Sequence, residues 1–136
     1  MTKSVYISAA ERQVGKSAIA LGVLELFSSR VKRVGVFRPL VHSLEEDTVA
    51  TALLGDSRQS LESALGVTYE QYANDPQAAV DAVVAKYNAL AGNYDAVVIV
   101  GSDYTDIESA LELDHNAVFA ANLDAPVILV TKAGGR

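Results

Sequence analysis

Two patterns of apolar residues alternate along the chain. Short continuous apolar runs occupy residues 5–8, 34–37, 96–100 and 127–130, and the third run is typical of a strand covered on both faces. Between the runs, apolar side chains recur at helical spacing, as in the segment 16–29. Strands that alternate with helices predict right-handed crossovers and a doubly wound, mainly parallel α/β sheet.

Individual residues mark where some elements begin and end. Pro39 is expected to close the second strand, because proline cannot donate to a strand ladder. Asp75 and Pro76 predict a helix start, with a capping side chain followed by proline at the first helical position, and Gly92 is the expected terminator. The segment 55–66 is polar and is expected to form a surface excursion.

The composition is that of one globular domain spanning residues 1–136. Half of the 136 residues are hydrophobic, the formal net charge is −6, and there is no cysteine. The negative charge argues against nucleic acid as a partner, and the absence of cysteine excludes disulfides and thiolate metal sites. No apolar run is long enough to span a membrane or to form a signal peptide, so a cytoplasmic location is expected.

The last apolar run leads directly into residues 131–136, without a helix to cover that strand. A doubly wound sheet normally continues with another helix. We therefore expect the sequence to be an N-terminal fragment of a longer enzyme or a trimmed domain.

Residues 8–17, Ser-Ala-Ala-Glu-Arg-Gln-Val-Gly-Lys-Ser, connect the first strand to the first helix. Gly15, Lys16 and Ser17 at the end of this segment have the chemistry of a phosphate-binding loop. Glycine lets the backbone approach the phosphate, lysine adds a positive charge, and the serine hydroxyl is a possible ligand for Mg²⁺. However, Ala9 and Ala10 stand where such a loop has its opening glycine, and Gly-Lys-Ser also begins ordinary helices by chance.

Two charged residues after the second strand are further candidates. Arg38 lies at the edge where open α/β sheets bind ligands, so it is either a second phosphate contact or a surface arginine paired with Glu45 or Glu46. Asp47 is either a metal ligand or, as we favour, the N-cap of a helix over residues 48–54.

A nucleotide hydrolase or ligase also needs a carboxylate at the tip of a neighbouring strand, to hold magnesium. The strand 96–100 ends in Val100 and Gly101 instead. Asp103 lies beyond the turn, where a carboxylate more often hydrogen-bonds its own backbone. We therefore assign no catalytic residue.

Several segments together resemble the dethiobiotin synthetase-like P-loop family, which includes cobyrinic acid a,c-diamide synthase, and more specifically the N-terminal domain of long-form phosphate acetyltransferases. The first likeness rests on residues 9–17, 36–39 and 94–101, and the second on residues 66–69, 86–87 and 101–105. The likeness covers essentially the whole chain.

The resemblance implies a P-loop fold and assigns roles by position. The opening glycine of the loop corresponds to Ala9, the family's lysine after the second strand to Arg38, and a metal-binding aspartate falls near Asp47. The family's strand glutamate corresponds to Val100. These departures argue against ATP-dependent carboxylate activation, whereas Lys16 and Ser17 remain compatible with ATP or another nucleotide bound with magnesium.

The resemblance also implies that acetyl transfer between coenzyme A and phosphate belongs to a separate C-terminal catalytic domain. The chain would then have a regulatory or assembly role in a homo-oligomer, with a small anionic ligand. Two alternatives remain: a free-standing ATP-dependent ligase, and a degenerate P-loop scaffold that binds nothing.

Overall fold

A computed structural model describes residues 3–9, 16–102 and 109–130, with side chains placed throughout except at 109–114. Five parallel strands form one sheet in the order β3-β2-β4-β1-β5. The strands are β1 (Lys3–Ala9), β2 (Val34–Val41), β3 (Leu65–Thr68), β4 (Ala96–Val100) and β5 (Val127–Val130). The predicted doubly wound parallel α/β sheet is confirmed.

Within the described residues, six helices cover the two faces of this sheet. They are α1 (Lys16–Ser28), α2 (Thr48–Leu54), α3 (Leu61–Ala64), α4 (Tyr69–Asn74), α5 (Pro76–Ala91) and α6 (Ser109–Asn122). Side chains of α1, α2 and α3 pack on one face, and those of α4, α5 and α6 on the other. In the part of the chain that is described, no helix is long and apolar enough to cross a membrane.

The strand β4 lies at the centre of the sheet, between β2 and β1. All five of its residues are buried, as the continuous β-branched run predicts. Its carboxyl end, at Val100 and Gly101, therefore lies between the ends of β1 and β2. This arrangement determines which side chains meet at the candidate site.

The predicted end of the second strand is wrong, because β2 continues through Pro39 to Val41. The side-chain amide of Gln59 bonds both the N–H and the C=O of Val36, at 2.9 and 2.8 Å, on the edge of β2 away from β4. Since backbone groups alternate sides along a strand, the nitrogen of Pro39 faces β4, where the pairing has already ended at Phe37 and Ile99. The missing donor therefore leaves the pairing of β2 with β3 intact, and that pairing continues to Leu40 and Val41.

The expected surface excursion over residues 55–66 is confirmed only at its start, where residues 55–58 are exposed. The rest of the segment contains α3 and the start of β3, whose residues Leu65 and Val67 are buried against β2. A strand of four residues gives too short a pattern to be recognised beside a polar segment. The following helix α4 was missed as well.

The helix predicted from Asp75 and Pro76 is confirmed. Asp75 accepts a hydrogen bond from the N–H of Ala78, Pro76 is the first helical residue, and Gly92 is the C-cap. By contrast, α1 buries only part of its apolar residues: Val23 and Phe27 pack against the core, whereas Ile19 and Leu26 are 42% and 50% exposed.

The last strand, β5, forms one edge of the described sheet. Val127, Ile128 and Leu129 are between 39% and 51% exposed, and only Val130 is buried. The apolar run that resembles a central strand in the sequence therefore lies at an edge among the described elements.

Gly66 provides a test of the contact between β2 and β3. A Cβ atom at this position would lie 2.3 Å from the carbonyl oxygen of Pro39, so Gly66→Ala must push the two strands apart. We expect the free energy of unfolding, measured by urea titration, to fall by about 3 kcal/mol.

Gly22→Ala is the matched control. No heavy atom lies within 4 Å of the added Cβ, and Gly22 is inside α1, so the same substitution should raise the free energy of unfolding by about 0.5 to 1 kcal/mol. Equal effects of the two substitutions would contradict the described packing of β3 against β2.

Candidate functional site

Lys16 begins α1 and points its side chain to the end of β4. Its ammonium Nζ donates hydrogen bonds to the carbonyl oxygens of Gly101, at 2.8 Å, and Ser102, at 2.9 Å. The side chain is buried, as the residue is only 8% exposed. A lysine can bury its charge in this way because main-chain carbonyls replace part of its hydration.

Arg38 reaches the same point from β2. Its guanidinium Nη2 donates to the carbonyl oxygen of Gly101 at 2.8 Å, and Nη1 lies 2.9 and 3.0 Å from the two carboxylate oxygens of Asp47. Arg38 is 1% exposed. The alternative of a surface arginine paired with Glu45 or Glu46 is therefore wrong.

The carbonyl oxygen of Gly101 thus accepts hydrogen bonds from both cationic side chains. The two cations enter from α1 and β2, and the acceptor belongs to the end of β4. The sequence-based expectation that Lys16 and Arg38 share the ligand-binding edge of the sheet agrees with this geometry.

Asp47 is the N-cap of α2, as predicted. Its Oδ2 accepts a hydrogen bond from the N–H of Ala50 at 2.8 Å, in addition to the contact with Arg38. Each carboxylate oxygen of Asp47 therefore already has a protein donor. Its other predicted role, as a metal ligand, stays a prediction.

Val100 is fully buried at the end of β4, at the position that corresponds by resemblance to the strand glutamate of the dethiobiotin synthetase-like family. Across the described ranges, no group of three or more His, Cys, Asp or Glu side chains could hold a metal ion. The candidate site, as described, is therefore rich in cations and backbone acceptors rather than in carboxylates.

Some predicted site residues lie outside the described residues. They are Gly15, Ala10 and Asp103, whereas Ala9 is described as the buried last residue of β1. Ser17 is exposed in the first turn of α1. Gly15 as a phosphate contact and Ser17 as a magnesium ligand stay predictions.

A cavity of about 520 Å³ lies beside Asp47, the carboxylate partner of Arg38, on the side of α2. Its lining includes Asp47, through which it meets Arg38, and His42, which stacks on the ring of Tyr69 with 4.5 Å between ring centroids. The remaining lining residues are Ser43, Glu46, Thr48, Val49 and Thr51. The cavity provides space for a ligand beside the site.

Sequence reasoning missed a buried amide on the opposite face of the sheet. Asn116 of α6 accepts hydrogen bonds through Oδ1 from the hydroxyl of Tyr6, at 2.8 Å, and from the N–H of Ser102, at 3.0 Å. Asn116 thereby fixes the position of Ser102, whose carbonyl binds Lys16. An asparagine within a helical stretch gives no sequence signal for such a contact.

Two known proteins are similar to this chain over nearly its whole length. The phosphate acetyltransferase of Synechocystis sp. is 32% identical, covering 99% of this chain and 21% of its own length. That of Nitratidesulfovibrio vulgaris is 31% identical, covering 96% of this chain and 20% of its own length. The chain therefore spans about a fifth of the length of these relatives and matches their N-terminal regions.

An AAA domain family matches residues 3–136. This match includes every described strand and helix, together with the segment 10–15 that precedes Lys16. The chain therefore belongs to this AAA domain family of P-loop proteins.

Proposed function

We propose that the chain is a non-catalytic, nucleotide-binding accessory domain of a phosphate acetyltransferase. The parent enzyme would convert acetyl-CoA and phosphate to acetyl phosphate and CoA with a separate C-terminal catalytic domain. The accessory domain would regulate that enzyme and contribute to its assembly as a homo-oligomer. The similarity to two phosphate acetyltransferases over nearly the whole chain supports this assignment.

The observation that carries nucleotide binding is the convergence of Lys16 and Arg38 on the carbonyl of Gly101. Two buried cations at the carboxyl ends of parallel strands favour an anion, because open α/β sheets bind ligands at this edge. The start of α1 lies at the same edge, where helix N–H groups and the helix dipole also favour negative charge. A nucleotide phosphate would fit the two cations, the ligand-binding edge of the sheet and the N-terminus of α1.

Val100 argues against nucleotide hydrolysis as the main role of the domain. A fully buried valine occupies the end of the strand where the ligases have a glutamate, so the described site lacks that magnesium ligand. Lys16 and Arg38 can stabilise a bound phosphate without a group that activates an attacking water. We therefore expect binding without turnover.

A regulatory role follows from binding only if the ligand distinguishes two states of the enzyme. Lys16 provides a local means, since a phosphate that draws its ammonium away would release the carbonyls of Gly101 and Ser102. The end of β4 would then lose its hydrogen bonds from Lys16. One of them is made to Ser102, the residue whose N–H bonds the buried amide of Asn116. The bound and ligand-free domains would thus differ at the end of β4, where side chains of α1 and β2 contact it.

Calorimetric titration with Mg-ATP tests nucleotide binding. We expect saturable heat from the unmodified protein, and a loss of affinity of about 10- to 100-fold in Lys16→Met, because a charge-assisted hydrogen bond to phosphate is removed. Methionine keeps most of the side-chain volume in this buried position. Circular dichroism would confirm that the variant is folded.

Lys32→Met is the matched control, since Lys32 is exposed at the opposite edge of the sheet and should leave the affinity unchanged. Absence of binding at millimolar nucleotide would favour the degenerate scaffold. Production of ADP that depends on a carboxylate substrate would instead favour the ATP-dependent ligase.

The magnesium requirement tests the predicted role of Ser17. We expect nucleotide affinity to fall by about tenfold when magnesium is chelated, and Ser17→Ala to show the weaker affinity even with magnesium present. Ser28→Ala removes an exposed hydroxyl from the same helix and should retain the full magnesium effect. An unchanged magnesium effect in Ser17→Ala would assign the metal to other ligands.

A further inference from the structure

A two-residue segment, Gly101 and Ser102, follows the central strand β4. On one face of the sheet, its two carbonyl oxygens accept hydrogen bonds from the ammonium of Lys16. On the other face, the segment contacts Asn116 of α6 and the ring of Tyr6 in β1. The segment therefore connects the candidate phosphate site to side chains on the opposite face of the sheet.

The amide oxygen of Asn116 holds Ser102 in place. This oxygen, Oδ1, accepts hydrogen bonds from the N–H of Ser102 at 3.0 Å, from the hydroxyl of Ser102 at 3.4 Å and from the hydroxyl of Tyr6 at 2.8 Å. A backbone N–H can only donate, so the atom that faces it must be the amide oxygen. Asn116 is 2% exposed, so solvent water has little access to these contacts.

Close packing also restricts Gly101. A Cβ atom at this position would lie 2.7 Å from Oδ1 of Asn116 and 3.0 Å from a ring carbon of Tyr6. The N–H of Gly101 donates to the carbonyl oxygen of Ile7 in β1 at 2.8 Å. The segment therefore has little room to move towards α6, and its carbonyl oxygens stay directed at the cations on the other face.

These carbonyl oxygens compete with a phosphate for the ammonium of Lys16. A lysine ammonium has three N–H donors, and in the ligand-free domain two of them are given to Gly101 and Ser102. A ligand that needs a minor state of its binding site binds more weakly, in proportion to the population of that state. Firmly held carbonyls keep the population with a released ammonium small.

We propose that Asn116 is a positioning residue that lowers the nucleotide affinity of the domain. By holding Ser102, it keeps the two carbonyl oxygens in place as an internal substitute for the phosphate. The inference rests on the proposed function, because it requires the phosphate to bind at Lys16. It also makes the affinity depend on the position of α6, a helix on the opposite face of the sheet, so displacement of α6 would release Lys16 for the ligand.

Two substitutions of Asn116 separate the acceptor oxygen from the rest of the side chain. Asn116→Ala removes the acceptor, whereas Asn116→Asp keeps an acceptor oxygen in either protonation state. The aspartate loses only Nδ2, which has no hydrogen-bond partner among the described residues. Asn116→Ala is therefore expected to loosen the segment and Asn116→Asp to hold it.

Nuclear magnetic resonance of the ¹⁵N-lysine-labelled chain tests the hold on Lys16 without any nucleotide. The ammonium signal of Lys16, assigned by its loss in Lys16→Met, should exchange its hydrogens slowly with water, because the group is buried and hydrogen-bonded. We expect exchange to become about five- to tenfold faster in Asn116→Ala and to stay near the original rate in Asn116→Asp.

Calorimetric titration with Mg-ATP tests the effect on affinity. Asn116→Ala should bind about three- to tenfold more tightly than the unmodified chain, and Asn116→Asp should not. In the Lys16→Met background, Asn116→Ala should leave the affinity unchanged, because Asn116 acts through Lys16.

Val83→Ala is the matched control for a general loss of stability. Val83 is fully buried in α5, in the apolar core on the same face of the sheet as Tyr6. The substitution removes two buried methyl groups and no hydrogen bond. Both the exchange of the Lys16 ammonium and the nucleotide affinity should stay unchanged.

The outcomes distinguish this inference from the proposed function. Unchanged exchange in Asn116→Ala, or equally fast exchange in Val83→Ala, would overturn the inference whether or not nucleotide binds. Faster exchange with equal or weaker affinity would overturn the role of Asn116 and leave nucleotide binding intact. Absence of heat from both the unmodified chain and Asn116→Ala would refute nucleotide binding, and the effect on affinity with it.

Discussion

The burial of the Arg38 guanidinium is the constraint on which the candidate site depends. Arg38 is the largest side chain among the fully buried described residues, and a charge in that position is costly unless it is paired and hydrogen-bonded. Asp47 supplies the opposite charge, and the carbonyl of Gly101 supplies an uncharged acceptor. Satisfying this one group joins the interior of β2 to the start of α2 and the end of β4.

The elements with long or strongly patterned sequences were predictable. Central β4 is a continuous β-branched run, and α5 carries both its cap and its proline, so local chemistry and tertiary packing agree there. β3 was missed because its four residues acquire their burial only by pairing with β2. The continuation of β2 through Pro39 likewise depends on its pairing with β3, which is distant in sequence.

The candidate site was predictable in its residues but not in its contacts. The Gly-Lys-Ser motif and the position of Arg38 after an apolar run were sufficient to place both cations at one edge of the sheet. Their shared acceptor is a backbone carbonyl, which has no residue-type signature in a sequence. The role of Asn116 was equally hidden, since its partners Tyr6 and Ser102 come from two other parts of the chain.

The strand order has a consequence for how the chain reaches this structure during synthesis. β1 is synthesised before the other four described strands, yet both of its neighbours in the sheet, β4 and β5, are the last of the five to be made. Such distant pairings are slow to form, because the loop between the strands must close before any contact is gained. The first strand, and the lysine that follows it, can therefore reach their final contacts only after residues 96–130 have been synthesised. The candidate ligand-binding edge is accordingly among the last parts of the described sheet to be assembled.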